Sequence, residues 1–169
     1  MKKSEVSYLG KNVFIGLDIH NKTWFGTIIC DNIIDKPKSF EPDSKKLYNY
    51  LSRRYPGANY YAAYEAGYFG YWIYRELTEY GVNVKVVNPA DIPTSDKDRR
   101  SKTDKNDSRK IAQSLSAGLL ESIYIPTLEE EERRSLVRHR DELVKNSTRI
   151  KNQIKSFLKQ HGIKYSLHN

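Results

Sequence analysis

The chain has 169 residues, with 29 Lys and Arg against 21 Asp and Glu, a formal net charge of +8 and a pI near 9.4. That length suits one ordinary domain with an appendage, and the charge makes a polyanion the leading partner, nucleic acid before a membrane surface. A single cysteine, Cys30, excludes an internal disulfide, and without a long apolar run or a signal-type N-terminus the chain reads as soluble and cytoplasmic.

Two apolar runs come first, VFIGLDI (13–19) and WFGTIIC (24–30), joined by HNKT as a short turn. IIDKPKSF (33–40) follows the turn pair Asp31-Asn32, which predicts an antiparallel meander of three strands. Ser44 is placed to cap a helix over 44–55 that ends at Pro56-Gly57, with Leu47, Tyr48 and Leu51 on one face. YYAAY (60–64) is the fourth strand. A helix over 69–80 has Phe69, Trp72, Ile73 and Leu77 at core spacing, and VNVKVV (82–87) is the fifth strand. The alternation of strand and helix after the meander implies parallel pairing and an α/β fold.

The stretch from Pro89 to Thr103 is polar, charged and without periodicity. A helical pattern resumes at Asp104, with Ile111, Leu115 and Leu119 four apart, and SIYIP (122–126) is a short apolar piece ended by proline. From Thr127 the composition changes. Leu136, Leu143, Ile150 and Phe157 recur every seven residues, predicting one helix of roughly 33 residues with an imperfect coiled-coil seam. Four glutamates (129–132) open it, where the helix dipole favours them. Beyond Leu143 every charged side chain is positive, from Lys145 to Lys164. The expected organisation is a catalytic domain over 12–126, the long helix over 127–162 and a tail over 163–169, with homo-oligomerisation or interdomain packing through the helix.

The carboxylates carry the chemistry. Asp18 stands at the end of the first strand and Glu65 at the end of the fourth, while Asp104 and Asp107 begin a helix one turn apart on one face. If the fourth strand lies parallel beside the first, Asp18 and Glu65 meet at their C-terminal ends, the edge where open α/β sheets bind ligands. Clustered carboxylates repel unless divalent cations neutralise them, and oxygen ligands suit Mg²⁺ or Mn²⁺. Two such ions about 4 Å apart can activate one oxygen and stabilise another in phosphodiester cleavage. Each acid also has an ordinary role: Asp18 as a turn former, Glu65 as a helix-start charge, Asp104 or Asp107 as an N-cap. Their joint placement is what favours a site.

The bases beside the acids, Lys97, Arg99, Arg100, Lys102, Lys105, Arg109 and Lys110, with Lys22 on the first turn, are natural phosphate contacts. Tyr68 and Tyr71 beside Glu65 could stack on an unpaired base, although packing is the more ordinary role. His20, two residues past Asp18, could be a metal ligand or proton carrier; a turn histidine is the plainer reading. Cys30 reads as inert core.

Three blocks, GLDIHNKTW, YEAGYFGYWIYRELTEYGVNVKVVNP and SKTDKNDSRKIAQ, together resemble the N-terminal domain of DEDD-type insertion-sequence transposases, a family that includes the Piv DNA invertases. The resemblance spans about residues 12–160. It implies a ribonuclease H-like (RuvC-like) mixed sheet of about five strands with flanking helices and a coiled-coil helix after it. It also implies an acidic tetrad of Asp18, Glu65, Asp104 and Asp107 binding Mg²⁺ or Mn²⁺, and DNA as substrate. In part of the family an element-encoded RNA guides target choice. The resemblance further implies a serine-bearing C-terminal domain, absent from these 169 residues, so metal binding without strand exchange is expected of this chain.

Two alternatives stay open: a stand-alone junction-resolving or RNase H-like nuclease, and a non-catalytic nucleic-acid-binding dimerisation module. An actin-like ATPase also begins with a strand ending in Asp, but DIHNKT lacks the glycines a phosphate loop needs.

Overall fold

The computed structural model describes residues 7–93 and 103–164. Two compact units divide between Ile125 and Pro126.

In the first unit, six strands form one sheet: β1 (Asn12–Ile19), β2 (Trp24–Cys30), β3 (Ile33–Ile34), β4 (Lys38–Phe40), β5 (Asn59–Glu65) and β6 (Asn83–Val87). The path runs β3-β2-β1-β5-β6, with β4 also on β2. The early strands pair antiparallel, whereas β1–β5 and β5–β6 are parallel. This is the mixed ribonuclease H-like sheet with flanking helices. It has one strand more than expected because the third predicted strand is two. Pro37, with no N–H to give to a ladder, separates β3 from β4. Asp31 and Asn32, with φ of 51° and 63°, form the tight turn between β2 and β3.

Helix α1 (Ser44–Arg54) is capped by Asp43, whose side chain accepts from the Lys46 N–H at 2.8 Å, not by Ser44 as expected. Ser44 is instead buried at the first helical position. Helix α2 is Trp72–Glu79, shorter than its apolar pattern, because 68–71 form a turn. Phe69 packs on the core, whereas Trp72 is 39% exposed and rests on Trp24 with ring centroids 5.9 Å apart. A 3₁₀ turn (Pro89–Asp91) follows β6, and α3 is Asp104–Ser116. The segment after it is irregular, although Ile123 N–H reaches Val86 O on β6 at 2.8 Å.

Strand alternation divides the interior into two cores. Val13, Ile15 and Leu17 face one side of the sheet with Leu47 and Leu51 of α1 and Ile73 and Leu77 of α2. On the other side Ala63 and Val87 pack with Ile111 and Leu115 of α3, and Phe14 joins them. By the same alternation Gly16 and Asp18 of β1, and Glu65 of β5, belong to the α3 face.

The second unit contains α4 (Leu128–Gln160), 33 residues long. Thr127 and Glu130 form a reciprocal capping box at its start, and Glu129, Glu130 and Glu131 occupy its first turn. Leu136, Leu143, Ile150 and Phe157 are each about half or more exposed along it. No helix among the described residues is long and apolar enough to cross a membrane.

Candidate functional site

The parallel pairing of β1 with β5 places Leu17 opposite Tyr64, so the next residues, Asp18 and Glu65, end neighbouring strands at the same sheet edge. Both line one cleft of about 110 Å³, together with Leu17, Ile19, Tyr64 and residues 66–69. Glu65 lies seven residues ahead of α2, which has no acidic residue in its first turn, so the helix-start role does not apply.

Helix α3 approaches from the face that Asp18 and Glu65 share. Thr103 is its N-cap, its hydroxyl accepting from the Asn106 N–H at 3.3 Å. Neither Asp104 nor Asp107 is spent on capping. The helix is seated by two contacts. Gly16 leaves room for the helix backbone, since a Cβ there would lie 2.2 Å from Ala112 N and 2.3 Å from Ser108 O. Thr27 Oγ1 and Ser108 Oγ are 2.9 Å apart in a buried hydrogen bond, joining β2 to the first turns of α3.

The seating brings Asp104 to the end of β1. His20 Nε2 lies 3.1 Å from Asp18 Oδ2 and 3.5 Å from Asp104 Oδ1. One ligand atom from each of Asp18, His20 and Asp104 lies within 4.8 Å of the others, a group that could hold a metal ion. Glu65 joins Asp18 in the cleft rather than this group. Asp107 faces Lys110, Oδ1 to Nζ 3.6 Å, on the same helix. Burial pushes the Asp18 carboxyl above its ordinary range; His20 opposes that shift, and the Asp104 and Asp107 charges add to it. A half-buried carboxylate beside further negative charge is a place where a cation is favoured, so the donor set fits a divalent ion.

Of the expected phosphate contacts, Lys22, Lys105 and Arg109 are exposed and Lys110 is half-buried. Lys97, Arg99, Arg100 and Lys102 lie outside the described residues. Tyr68 is 84% exposed at the cleft, its ring 4.2 Å from that of Phe69. Cys30 is buried, as a core residue should be. The positioning roles of Gly16, Thr27 and Ser108, and the place of His20 between two aspartates, go beyond what the sequence pattern indicated. Gly16 carried the one available signal, a glycine two residues before an aspartate on the same strand face.

A mixed sheet with a parallel central pair, Asp18 and Glu65 near one edge of it and flanking helices is the architecture of a ribonuclease H-like domain. The chain belongs to the DEDD transposase family of the IS110 type, whose family model, described as transposase, matches residues 15–163. It is 30% identical over 171 residues to y4rJ of Sinorhizobium fredii, a protein named as a transposase, covering 89% of this chain and 42% of that one. It is 28% identical over 159 residues to the transposase for insertion sequence element IS1533 of Leptospira borgpetersenii, covering 91% and 45% respectively. The transposase for insertion sequence element IS1111A of Coxiella burnetii is 28% identical over 90 residues, covering 53% of this chain and 24% of the relative. The chain thus spans less than half the length of these relatives.

Proposed function

We propose that this chain is the metal-binding catalytic portion of an insertion-sequence transposase, an enzyme that cleaves and transfers DNA strands, with Asp18, Glu65, Asp104 and Asp107 as its acidic set and Mg²⁺ or Mn²⁺ as its ion. The observation that supports the reading is the β1–β5 register, in which Asp18 and Glu65 follow the paired Leu17 and Tyr64 and line one cleft. Asp18 and Glu65 would hold the ion from the sheet, and Asp104 and Asp107 from the helix. A bound divalent ion supplies Lewis-acid polarisation of the phosphate and a lowered pKa for the attacking oxygen. Lys22, Lys105, Arg109 and Lys110, with Lys97, Arg99, Arg100 and Lys102, take the DNA backbone and fix the strand relative to the acids. The exposed apolar seam of α4 pairs with that of a second copy. Guidance by an element-encoded RNA rests on the family resemblance alone.

Calorimetric titration of Mn²⁺ into the chain and into Asp18→Asn tests the metal: saturable heat in the first and its loss in the second is expected, and equal negligible heats would remove the reading. A transposition assay with the natural full-length protein separates catalysis from binding. Asp104→Ala should abolish transposition while DNA retention persists, whereas unchanged transposition would favour a non-catalytic binding module.

A further inference from the structure

We propose that His20 is itself a ligand of the divalent ion, so that Asp18, His20 and Asp104 form a mixed oxygen–nitrogen set preferring Mn²⁺ to Mg²⁺; the inference rests on the metal reading above and adds a residue outside the acidic tetrad. His20 follows β1 directly, and its Nε2 stands between carboxylate oxygens from two different elements, at 3.1 Å from Asp18 and 3.5 Å from Asp104. Octahedral ligands about 2.1 Å from an ion are separated by about 3 Å when adjacent and about 4.2 Å when opposite. The His20 nitrogen, 3.1 and 3.5 Å from the two carboxylate oxygens, lies close to the adjacent-ligand spacing, and all three donor atoms fall within 4.8 Å of one another. The His20 side chain is 48% exposed, so core packing does not dictate its position. Its polar contacts among the described residues include both carboxylates.

The choice of nitrogen has a chemical consequence. Mg²⁺ is hard, sheds water reluctantly and takes oxygen ligands, whereas first-row transition ions accept imidazole readily. A histidine in the ligand shell therefore gains more for Mn²⁺ than for Mg²⁺. Glu65 lines the same cleft as Asp18, and Asp107 lies beside Lys110 on α3.

The test uses Mn²⁺ and Mg²⁺ alone on the full chain, His20→Gln and Asp18→Asn. Pulsed electron paramagnetic resonance of the Mn²⁺-loaded chain should show coupling to a directly bound ¹⁴N that disappears in His20→Gln. Calorimetry should show Mn²⁺ affinity falling about tenfold or more in His20→Gln, the scale on which ligand surroundings control metal affinity, with a much smaller fall for Mg²⁺. Mn²⁺ bound without nitrogen coupling, and lost in Asp18→Asn, would overturn the role of His20 while leaving the carboxylate site standing. No Mn²⁺ binding to the unaltered chain would overturn both.

Discussion

Gly16 on β1 and Ala112 on α3 meet backbone to backbone, so closely that a Cβ on Gly16 would sit 2.2 Å from Ala112 N. The next obstacle, Ser108 O at 2.3 Å, is also main chain. No side chain can rotate away to make room, so Gly16→Ala must lift α3 from the sheet. The expected cost is about 3 kcal/mol or more, at the upper end for overpacking, read as a lower midpoint in urea denaturation. Because α3 carries Asp104 and Asp107, Mn²⁺ affinity should fall with stability. A variant as stable as the parent would show that the close approach is not what seats the helix.

The Thr27–Ser108 pair should respond asymmetrically to truncation. Ser108 Oγ also donates to Lys105 O at 3.1 Å, so in the 2.9 Å contact the Thr27 hydroxyl is left to donate. Ser108→Ala then strands a fully buried hydroxyl on β2, at a cost of about 1–3 kcal/mol. Thr27→Val removes the donor and leaves Ser108 bonded to its own helix, so it should cost less. The double variant should be less damaging than the two single costs added together. Chemical denaturation of the three variants measures this, and additive, equal costs would mean the pair is not coupled.

Strand periodicity made β1, β2, β5 and β6 legible, and with them the convergence of Asp18 and Glu65, because a parallel crossover leaves little choice of edge. The register also fixed which face each acid takes. Local chemistry was harder to read. Asp43 and Ser44 are both good caps, and only the helix geometry separates them. Thr103 likewise relieves Asp104 of a capping role that the sequence alone could equally assign to it. Pro37 signalled a break in the third strand, but two short pieces on one neighbour depend on tertiary pairing. His20 was ambiguous for the same reason, since its second partner, Asp104, lies 84 residues further along the chain.

The α4 seam makes a prediction about assembly. Leu136, Leu143, Ile150 and Phe157 repeat with the heptad and are exposed, an arrangement that a second helix can cover. Sedimentation equilibrium should find a concentration-dependent dimer, and Leu143→Glu with Ile150→Glu should return it to monomer without unfolding the first unit. An unaltered association state in that double variant would place any interface elsewhere.

The raised Asp18 pKa gives a pH-dependent stability whose sign follows from linkage. Below the ordinary aspartate value of 3.8 the carboxyl is protonated in both folded and unfolded chains and contributes no difference. As pH rises past that value the unfolded chain loses its proton first, and the folded state is penalised for a charge that burial, Asp104 and Asp107 disfavour. Without divalent ions, Asp18→Asn should therefore be more stable than the parent at pH 7, and the advantage should shrink towards pH 4. Adding Mn²⁺ reverses the order, because an ion bound only to the folded parent stabilises it in proportion to ln(1 + [L]/Kd). Thermal melts of both proteins at the two pH values, with and without Mn²⁺, check each sign separately. A parent that outlasts Asp18→Asn at pH 7 without metal would mean that the His20 contact outweighs burial in setting the charge of Asp18.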